Sequence, residues 1–475
     1  MFKDSDGPLN GPDNDKKNDP ETGAGNSPDK SPEKNAGKTP EKGEGDSPEE
    51  RPAIRFLNAI GRVRLAKKLG RLTGLDFVSR RMTELMRSEK DSKPALSPAR
   101  PIRFKEEPLK GDPWKVYPVK AMGAKPFGAR AATEDNWRLE DGQKPLIGGM
   151  PGDHGGLLRY AVWLPPKAKK PKKGETAKQP DTIVLCMGRN EPLEKYQHEA
   201  ERWVAKGYQV FALDWQGQGL SSRFHAEAER GIVPDYGVHV RDLNRFMGTI
   251  VEPHATGKLL LKANSMGGHI ATRYLQEIDQ SKRARPLDGA IMTSPMYRIR
   301  FPAFSPEWAS KKLAQVEMRL GRGENYAPLQ GRWRRSVFKN NTLMTDKPRF
   351  DTFMDLLAAN PDLRIGGASF KWLYESIVSS DRLMARGALE RIKVPMLLFE
   401  ASEDDVVRRS AIRRAAARIS GAKLVSIGHD SRHDLPHETD AALKDMDAEI
   451  DRFAKGLTPP KLDRRKAVKS FAPAP

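Results

Sequence analysis

Ser265 stands in the segment Leu259-Leu260-Leu261-Lys262-Ala263-Asn264-Ser265-Met266-Gly267-Gly268. An apolar run ends there in a small residue, a serine and two glycines. A helical pattern then begins at His269-Ile270-Ala271-Thr272-Arg273-Tyr274-Leu275. The spacing predicts a strand, a tight turn with the serine at its apex, and a helix. That geometry suits nucleophilic chemistry. A serine hydroxyl is a weak nucleophile until it is lifted clear of its neighbours and set beside a base. A sharp strand-to-helix turn does the lifting, and it needs small residues two before and two after the serine. Ala263 and Gly267 hold those positions. The helix start behind Ser265 also aims free N–H groups at any oxyanion formed there. An ordinary buried strand followed by a Gly-rich turn would look the same, so partners must be sought elsewhere in the chain.

An elbow of this kind calls for an acid and then a histidine, each after a late strand. Val394-Pro395-Met396-Leu397-Leu398-Phe399-Glu400-Ala401 has the pattern of a buried parallel strand, and Ser402-Glu403-Asp404-Asp405-Val406-Val407 follows at once. The acid is one of Glu403, Asp404 and Asp405. Asp404 is preferred because it lies three residues past Ala401, with the apolar pair Val406-Val407 behind it. The next strand, Lys423-Leu424-Val425-Ser426-Ile427, runs into a loop holding His429, His433 and His437. His433 is expected to reach back to Ser265, just upstream of a final helix starting near Glu438. The other two are expected to be solvated. Both loops leave the carboxyl ends of strands, the edge where open α/β sheets bind ligands.

An oxyanion site should follow an early strand. Asp181-Thr182-Ile183-Val184-Leu185-Cys186-Met187 is that strand, and Gly188-Arg189-Asn190-Glu191 is its loop. The backbone N–H groups of Arg189 and Met266 are the expected donors.

With these residues in hand, the chain resembles the α/β-hydrolase family, in its lysophospholipase and monoacylglycerol lipase branch. The matching segments run in order. They are Gly156 to Trp163, resembling a first strand; Gly188-Arg189-Asn190-Glu191 with Glu194-Lys195-Tyr196; Ala212 to Ser221; and Asn264-Ser265-Met266-Gly267-Gly268. Asn341 to Asp346, Arg349-Phe350, Gly366-Gly367 and Trp372 are similar to the cap of bacterial lysophospholipases. The likeness spans residues 136 to 457. The family usually carries glycine where Ala263 stands, and often histidine where Met187 stands. The resemblance puts Asp404 and His433 on the family's acid and base positions. It implies an α/β fold, a mostly parallel doubly wound sheet with a helical cap insertion. It also implies a two-step acyl transfer from a single-chain lipid ester to water, with no cofactor. Acyl transfer to other acceptors, or a catalytically silent scaffold binding lipid or protein, are the rival readings.

The elements that must position these residues follow from periodicity. Strands and helices alternate through the core, as a parallel sheet with helices on both faces requires. Helices are expected at 194–206, 237–251, 267–278, 409–419 and 438–455. The core therefore occupies 136–300 and 386–457. Residues 301–385 break the alternation and carry many large apolar side chains, among them Trp308, Phe350, Phe353 and Trp372, as a helical cap would. Arg332, Arg334, Arg335, Lys339, Lys347 and Arg349 make this insertion basic, which suits either a phosphate headgroup or a solvated face.

The full chain of 475 residues carries a net charge of +20. Residues 1–50 hold only Met1, Phe2, Leu9, Ala24 and Ala36 as apolar side chains, and repeat Ser-Pro-acid-Lys units such as Ser27-Pro28-Asp29-Lys30. Such a segment buries too little apolar surface to offset its ordering entropy and is expected to be disordered. Residues 51–90 follow as a basic helical segment. Within 51–87, ten basic residues from Arg51 to Arg87 interleave with Ile54, Leu57, Leu65, Leu69, Leu72, Leu75 and Met82 at helical spacing. Two readings stand side by side: an element lying on an anionic membrane surface, or a basic helix docked on the core or solvated. Residues 91–135 are a linker, and 458–475 a basic Pro-rich tail. No aromatic stacking pattern suggests nucleic-acid binding. Nine histidines occur without an H-E-x-x-H or Cys/His ligand pattern, so no metal is expected. Cys186 is the single cysteine, which excludes an intrachain disulfide. Met1-Phe2-Lys3-Asp4-Ser5-Asp6 lacks a signal-type apolar region, and no stretch approaches the ~20 apolar residues of a membrane span. The expected location is the cytoplasm, with peripheral attachment to the inner membrane face if residues 51–87 bind it.

Overall fold

A computed structural model describes residues 145–166 and 179–457. The expectations for residues 1–50, 51–90, 91–135 and 458–475 lie outside the described residues.

Eight strands form one sheet: β1 (Leu146–Pro151), β2 (Leu157–Trp163), β3 (Asp181–Cys186), β4 (Tyr208–Leu213), β5 (Leu259–Asn264), β6 (Gly289–Thr293), β7 (Met396–Ala401) and β8 (Lys423–Ile427). Their order is β1-β2-β4-β3-β5-β6-β7-β8. The first two strands pair antiparallel, as do β2 and β4, while β4 through β8 are parallel neighbours. This is the mostly parallel α/β-hydrolase sheet expected from the sequence.

Gly156–Trp163 is not the first strand, however, since β1 precedes it. The β1 sequence, Leu-Ile-Gly-Gly-Met-Pro, has two glycines and a proline, which are weak strand formers. Pairing with β2 holds it instead. Tyr160 lies opposite Gly148 and covers it so closely that a Cβ there would stand 2.3 Å from the phenol ring.

Every residue of β4, β5, β6 and β7 is buried, because helices cover both faces. Side chains alternate between two apolar cores. Val184, Cys186, Leu259 and Leu261 enter one, and Ile183, Leu185 and Leu260 the other.

The helices are α1 (Gln197–Ala205), α2 (Tyr236–Phe246), α3 (Ser265–Glu277), α4 (Glu307–Arg319), α5 (Lys347–Ala359), α6 (Phe370–Leu383), α7 (Arg409–Arg418) and α8 (Asp440–Gly456). A 3-10 turn, Leu193–Tyr196, leads into α1, and a π turn, Met247–Val251, extends α2. α3 starts at Ser265, two residues before the expected position. α8 starts at Asp440, not at Glu438. Glu438 is fully buried and accepts the backbone N–H groups of Thr345 at 3.0 Å and Arg432 at 2.8 Å. It ties the last loop to the segment between β6 and β7 instead of opening a helix.

That segment holds α4, α5 and α6. Met344, Phe350, Phe353, Met354, Leu357 and Leu363 give it a small core of its own. Asp346 caps α5 by accepting Arg349 N–H at 2.9 Å, and Ser369 caps α6 by accepting Trp372 N–H at 3.1 Å.

The chain passes from β3 outward to β4, then crosses to the other side of β3 for β5. The crevice beyond the carboxyl ends of β3 and β5 is therefore the switch point where such sheets bind ligands. Gly188 and Ser265 both sit there.

One charge interrupts the apolar face of β5. Lys262 Nζ lies 2.5 Å from Glu199 Oε1 of α1, and both side chains are almost wholly buried. Removing one partner leaves an uncompensated charge in the core. We expect Lys262→Met to lose about 3–5 kcal/mol in urea unfolding. Adding Glu199→Gln, which still accepts from Trp203 Nε1, should recover much of that loss.

Candidate active site

The strand-to-helix turn at Ser265 is built by a close approach. Ser265 has φ 49°, a left-handed conformation rare for a residue with a Cβ. Such strain persists where the surroundings enforce it. Here the first turn of α3 presses on β3. A Cβ on Gly267 would stand 2.3 Å from the carbonyl oxygen of Cys186 and 2.5 Å from that of Met187. Ala263 is fully buried in β5 beside Cys186. The turn thus accommodates the extra methyl group where the family usually has glycine.

Ser265 Oγ lies 2.7 Å from His433 Nε2, and His433 Nδ1 lies 2.8 Å from Asp404 Oδ2. All three residues are buried. The other oxygen of Asp404 accepts the N–H groups of Val406 and Val407, each at 2.9 Å. Burial opposes charge on His433, but the adjacent Asp404 carboxylate outweighs it and, with Asp434 and Glu191, raises the imidazole pKa above 6.5. Burial likewise opposes charge on Asp404. The His433 contact and the two N–H bonds prevail and hold its carboxyl below the usual range.

The rejected candidates point elsewhere. Asp405 is exposed and pairs with Arg300 at 2.5 Å, and Glu403 is exposed as well. His429 is exposed and meets Asp445 at 2.8 Å. His437 departs from expectation: it is buried, with Nδ1 at 3.0 Å from Asp434 Oδ1 and Nε2 at 3.1 Å from the Lys195 carbonyl.

The loop after β3 abuts the serine. A Cβ on Gly188 would stand 3.3 Å from Ser265 Cβ. Gly188 N–H donates to Glu191 Oε2 at 2.5 Å. The Arg189 side chain donates from Nη2 to the Gly366 carbonyl at 2.7 Å and lies over the Trp372 ring at 4.9 Å. Asn190 is a second left-handed residue, and its N–H donates to the Gln218 side chain. Its side-chain oxygen accepts Ile365 N–H at 3.1 Å. The loop is fastened to both the core and the α4–α6 segment.

Sequence reasoning missed Glu191, Lys195, Asn264 and Asp434 as site neighbours. The available signals were Lys195 four residues after Glu191, and Asp434 directly after His433. Most of the basic residues suggested for a headgroup are already paired. Arg332 meets Glu227, Arg335 meets Asp355, Lys347 meets Asp351, and Arg349 meets Asp346 and Asp440. Arg334 and Lys339 are on the surface. Burial pushes the Cys186 thiol pKa far up, which makes it a packed, unreactive side chain.

Comparison with known proteins gives the family and the fold. The chain belongs to the Hydrolase_4 family, described as serine aminopeptidase, S33, whose profile matches residues 177–440. It is a carboxylic ester hydrolase of the α/β-hydrolase fold. It is 31% identical to lysophospholipase L2 of Escherichia coli (strain K12) over 268 residues, 54% of this chain and 76% of that protein. It is 24% identical to a probable lysophospholipase L2 of Haemophilus influenzae over 271 residues, 57% of this chain and 82% of that one. The fold matches a soluble variant of monoglyceride lipase from Saccharomyces cerevisiae with a TM-score of 0.52 and 15% identity, covering 68% of this chain and 98% of that one.

Gly267 gives a direct test of the turn. In Gly267→Ala the new methyl must push the Cys186 and Met187 carbonyls away from α3. We expect a stability loss of about 1–3 kcal/mol. Ester hydrolysis should fall on the order of 100-fold, as misplacement near 1 Å does. Gly456→Ala, where a Cβ meets no atom within 4 Å, should leave hydrolysis unchanged.

Proposed function

We propose that the chain hydrolyses the ester of a single-chain lipid, a lysophospholipid or a monoacylglycerol, through Ser265, His433 and Asp404 and an acyl-enzyme. The observation that carries this is the buried run from Ser265 Oγ to His433 at 2.7 Å and on to Asp404 at 2.8 Å. Ser265 Oγ attacks the ester carbonyl carbon while His433 Nε2 takes its proton. Asp404 holds the Nδ1–H tautomer and stabilises the imidazolium. The carbonyl oxygen becomes an oxyanion against the N–H groups of Arg189 and Met266. Collapse breaks the ester C–O bond, and His433 protonates the departing alcohol. Water then attacks the acyl-enzyme with His433 again as base, which releases the fatty acid and restores the Ser265 hydroxyl.

A fluorophosphonate probe should label the wild type and not Ser265→Ala. His433→Ala should cost several orders of magnitude in kcat, and His429→Ala far less. Asp404→Asn should be far more harmful than Asp405→Asn. Greater harm from His429→Ala or Asp405→Asn would reassign the base or the acid. The pH profile follows from the His433 environment. Its pKa is raised, so the imidazole stays protonated, and useless as a base, to higher pH than an ordinary histidine. The kcat/KM profile should therefore fall towards acid with a midpoint above 6.5.

The lipid class is supported by the lysophospholipase relatives and by the α4–α6 segment, proposed as a cap over the strand ends. On α4 the outward face presents Trp308 at 73% exposure, Leu313 and Val316, flanked by Phe304 at 79% and Leu320 at 57%. Lys312 and Arg319 lie on the same face, while Glu307 and Glu317 face elsewhere and pair with Arg298 and Arg322. An apolar face with a basic fringe suits an anionic lipid surface. Among the described residues no helix is long and apolar enough to cross a membrane, so contact would be interfacial. Medium- to long-chain lysophosphatidyl substrates should show much higher kcat/KM than p-nitrophenyl acetate. A preference for short soluble esters would remove the lipid assignment. Trp308→Ser with Val316→Ser should lower turnover of aggregated lipid and spare the soluble ester. Removing residues 1–90 should weaken sedimentation with anionic vesicles if the basic segment 51–87 also binds them.

A further inference from the structure

A buried ion cluster lies directly behind the reacting groups. Lys195 Nζ donates to Glu191 Oε1 at 2.6 Å and to Asp434 Oδ2 at 2.5 Å. Glu191 Oε2 also accepts Gly188 N–H at 2.5 Å, the Tyr196 hydroxyl at 2.7 Å and Asn264 Nδ2 at 3.3 Å. Asp434 Oδ1 takes Asn264 Nδ2 at 3.4 Å and faces His437 Nδ1 at 3.0 Å. The side chains of Lys195, Glu191 and Asp434 are 4%, 9% and 1% exposed. Burial opposes the charge on Asp434, yet Lys195 and His437 hold its carboxyl far below the usual range.

The members of the cluster neighbour the reacting residues in the chain. Gly188 precedes Arg189, Asn264 precedes Ser265, and Asp434 follows His433. Consecutive Cα atoms lie about 3.8 Å apart, so anchoring each neighbour anchors the residue beside it. The loops after β3 and β8, far apart in sequence, thus meet on one ammonium, and Asn264 at the end of β5 donates to the carboxylates of both. Glu191, Asp434 and His437 also bring possible metal-ligating atoms within 4.8 Å of one another. Lys195 already bridges the two carboxylates, and the fixed ammonium supplies the cation. Stability gives no reason for such a cluster, because apolar residues of similar volume usually do as well. Geometry does.

We propose that Glu191, Lys195 and Asp434 are positioning residues, whose single buried cluster sets the Arg189 N–H and the His433 loop in register with Ser265. This rests on the proposed roles of Ser265, His433 and Arg189. The cluster acts through the residues beside it. It serves the transition state by fixing where the oxyanion donor and the base stand before the reaction begins.

The test uses the full chain and a soluble ester, with Glu191→Leu compared with Glu191→Gln. Leucine removes the acceptor for Gly188 N–H, whereas glutamine keeps one. Glu191→Leu should lower kcat by about 10²–10³, the loss typical of one missing oxyanion donor, with KM nearly unchanged. Affinity for a trifluoromethyl ketone, which forms an oxyanion on the serine, should fall in parallel. Glu191→Gln should restore most of both. Should Glu191→Leu fail to fold, Asp434→Asn decides on the same readouts, with a smaller loss of the same kind expected. Unchanged kcat in a folded variant overturns the proposal. So does a loss of kcat without loss of ketone affinity, since that marks a smaller active fraction. If the wild type takes no fluorophosphonate, or Ser265→Ala keeps its activity, the triad reading itself fails. If those controls behave and the cluster variants keep kcat, the cluster proposal alone fails.

Discussion

The approach of α3 to the end of β3 is the constraint on which the rest depends. Gly267 packs against the Cys186 and Met187 carbonyls so closely that no side chain fits between them. That contact forces Ser265 into a left-handed conformation and brings the serine against the Gly188 turn. The aligned carboxyl ends of β3, β5, β7 and β8 then carry every other group of the candidate site. A parallel sheet suits this arrangement because all its strands release their loops at one edge. The loops can vary while the sheet beneath holds their roots.

Buried charge is used here to join loops rather than to strengthen the core. Arg159 on β2 reaches Glu194 at 2.7 Å and Asp214 at 2.6 Å. Asp214 also accepts the N–H groups of Leu193 at 3.0 Å and Leu220 at 2.9 Å. Gly219, with φ 53°, allows the loop after β4 to fold this tightly over that carboxylate. The Lys195 cluster does the same for the loops after β3 and β8, with Asn264 of β5 donating to both carboxylates. Hydrogen bonds in a low-dielectric interior are directional and costly to leave unmade, so each cluster tolerates little displacement. Apolar packing alone would allow such loops more alternatives.

The segment between β6 and β7 has a different character. Its own small core makes it locally stable, and it is fastened to the site's loops by Gly366 to Arg189, Ile365 to Asn190, and Thr345 to Glu438. Two of these fastenings fall on the loop beside Ser265.

The sequence by itself determined the strand, turn and helix around Ser265, the order of acid and histidine after two late strands, and the α/β class. These rest on local pattern: apolar runs of strand length, small residues at a turn, and helical periodicity over ten residues or more. The tertiary structure decided the rest. It separated His433 from His429 and His437, and Asp404 from Asp405, because a shared loop leaves spacing ambiguous and the hydrogen-bond partners do not. It revealed β1, whose glycines and proline hide its strand character and whose partner β2 supplies the missing drive. It moved Glu438 from a helix start to a buried acceptor. It also assembled the Lys195 cluster, in which Lys195 and Asp434 are separated by 239 positions. No local pattern encodes a contact of that length. Only the crossing of the chain at the switch point brings those charges together.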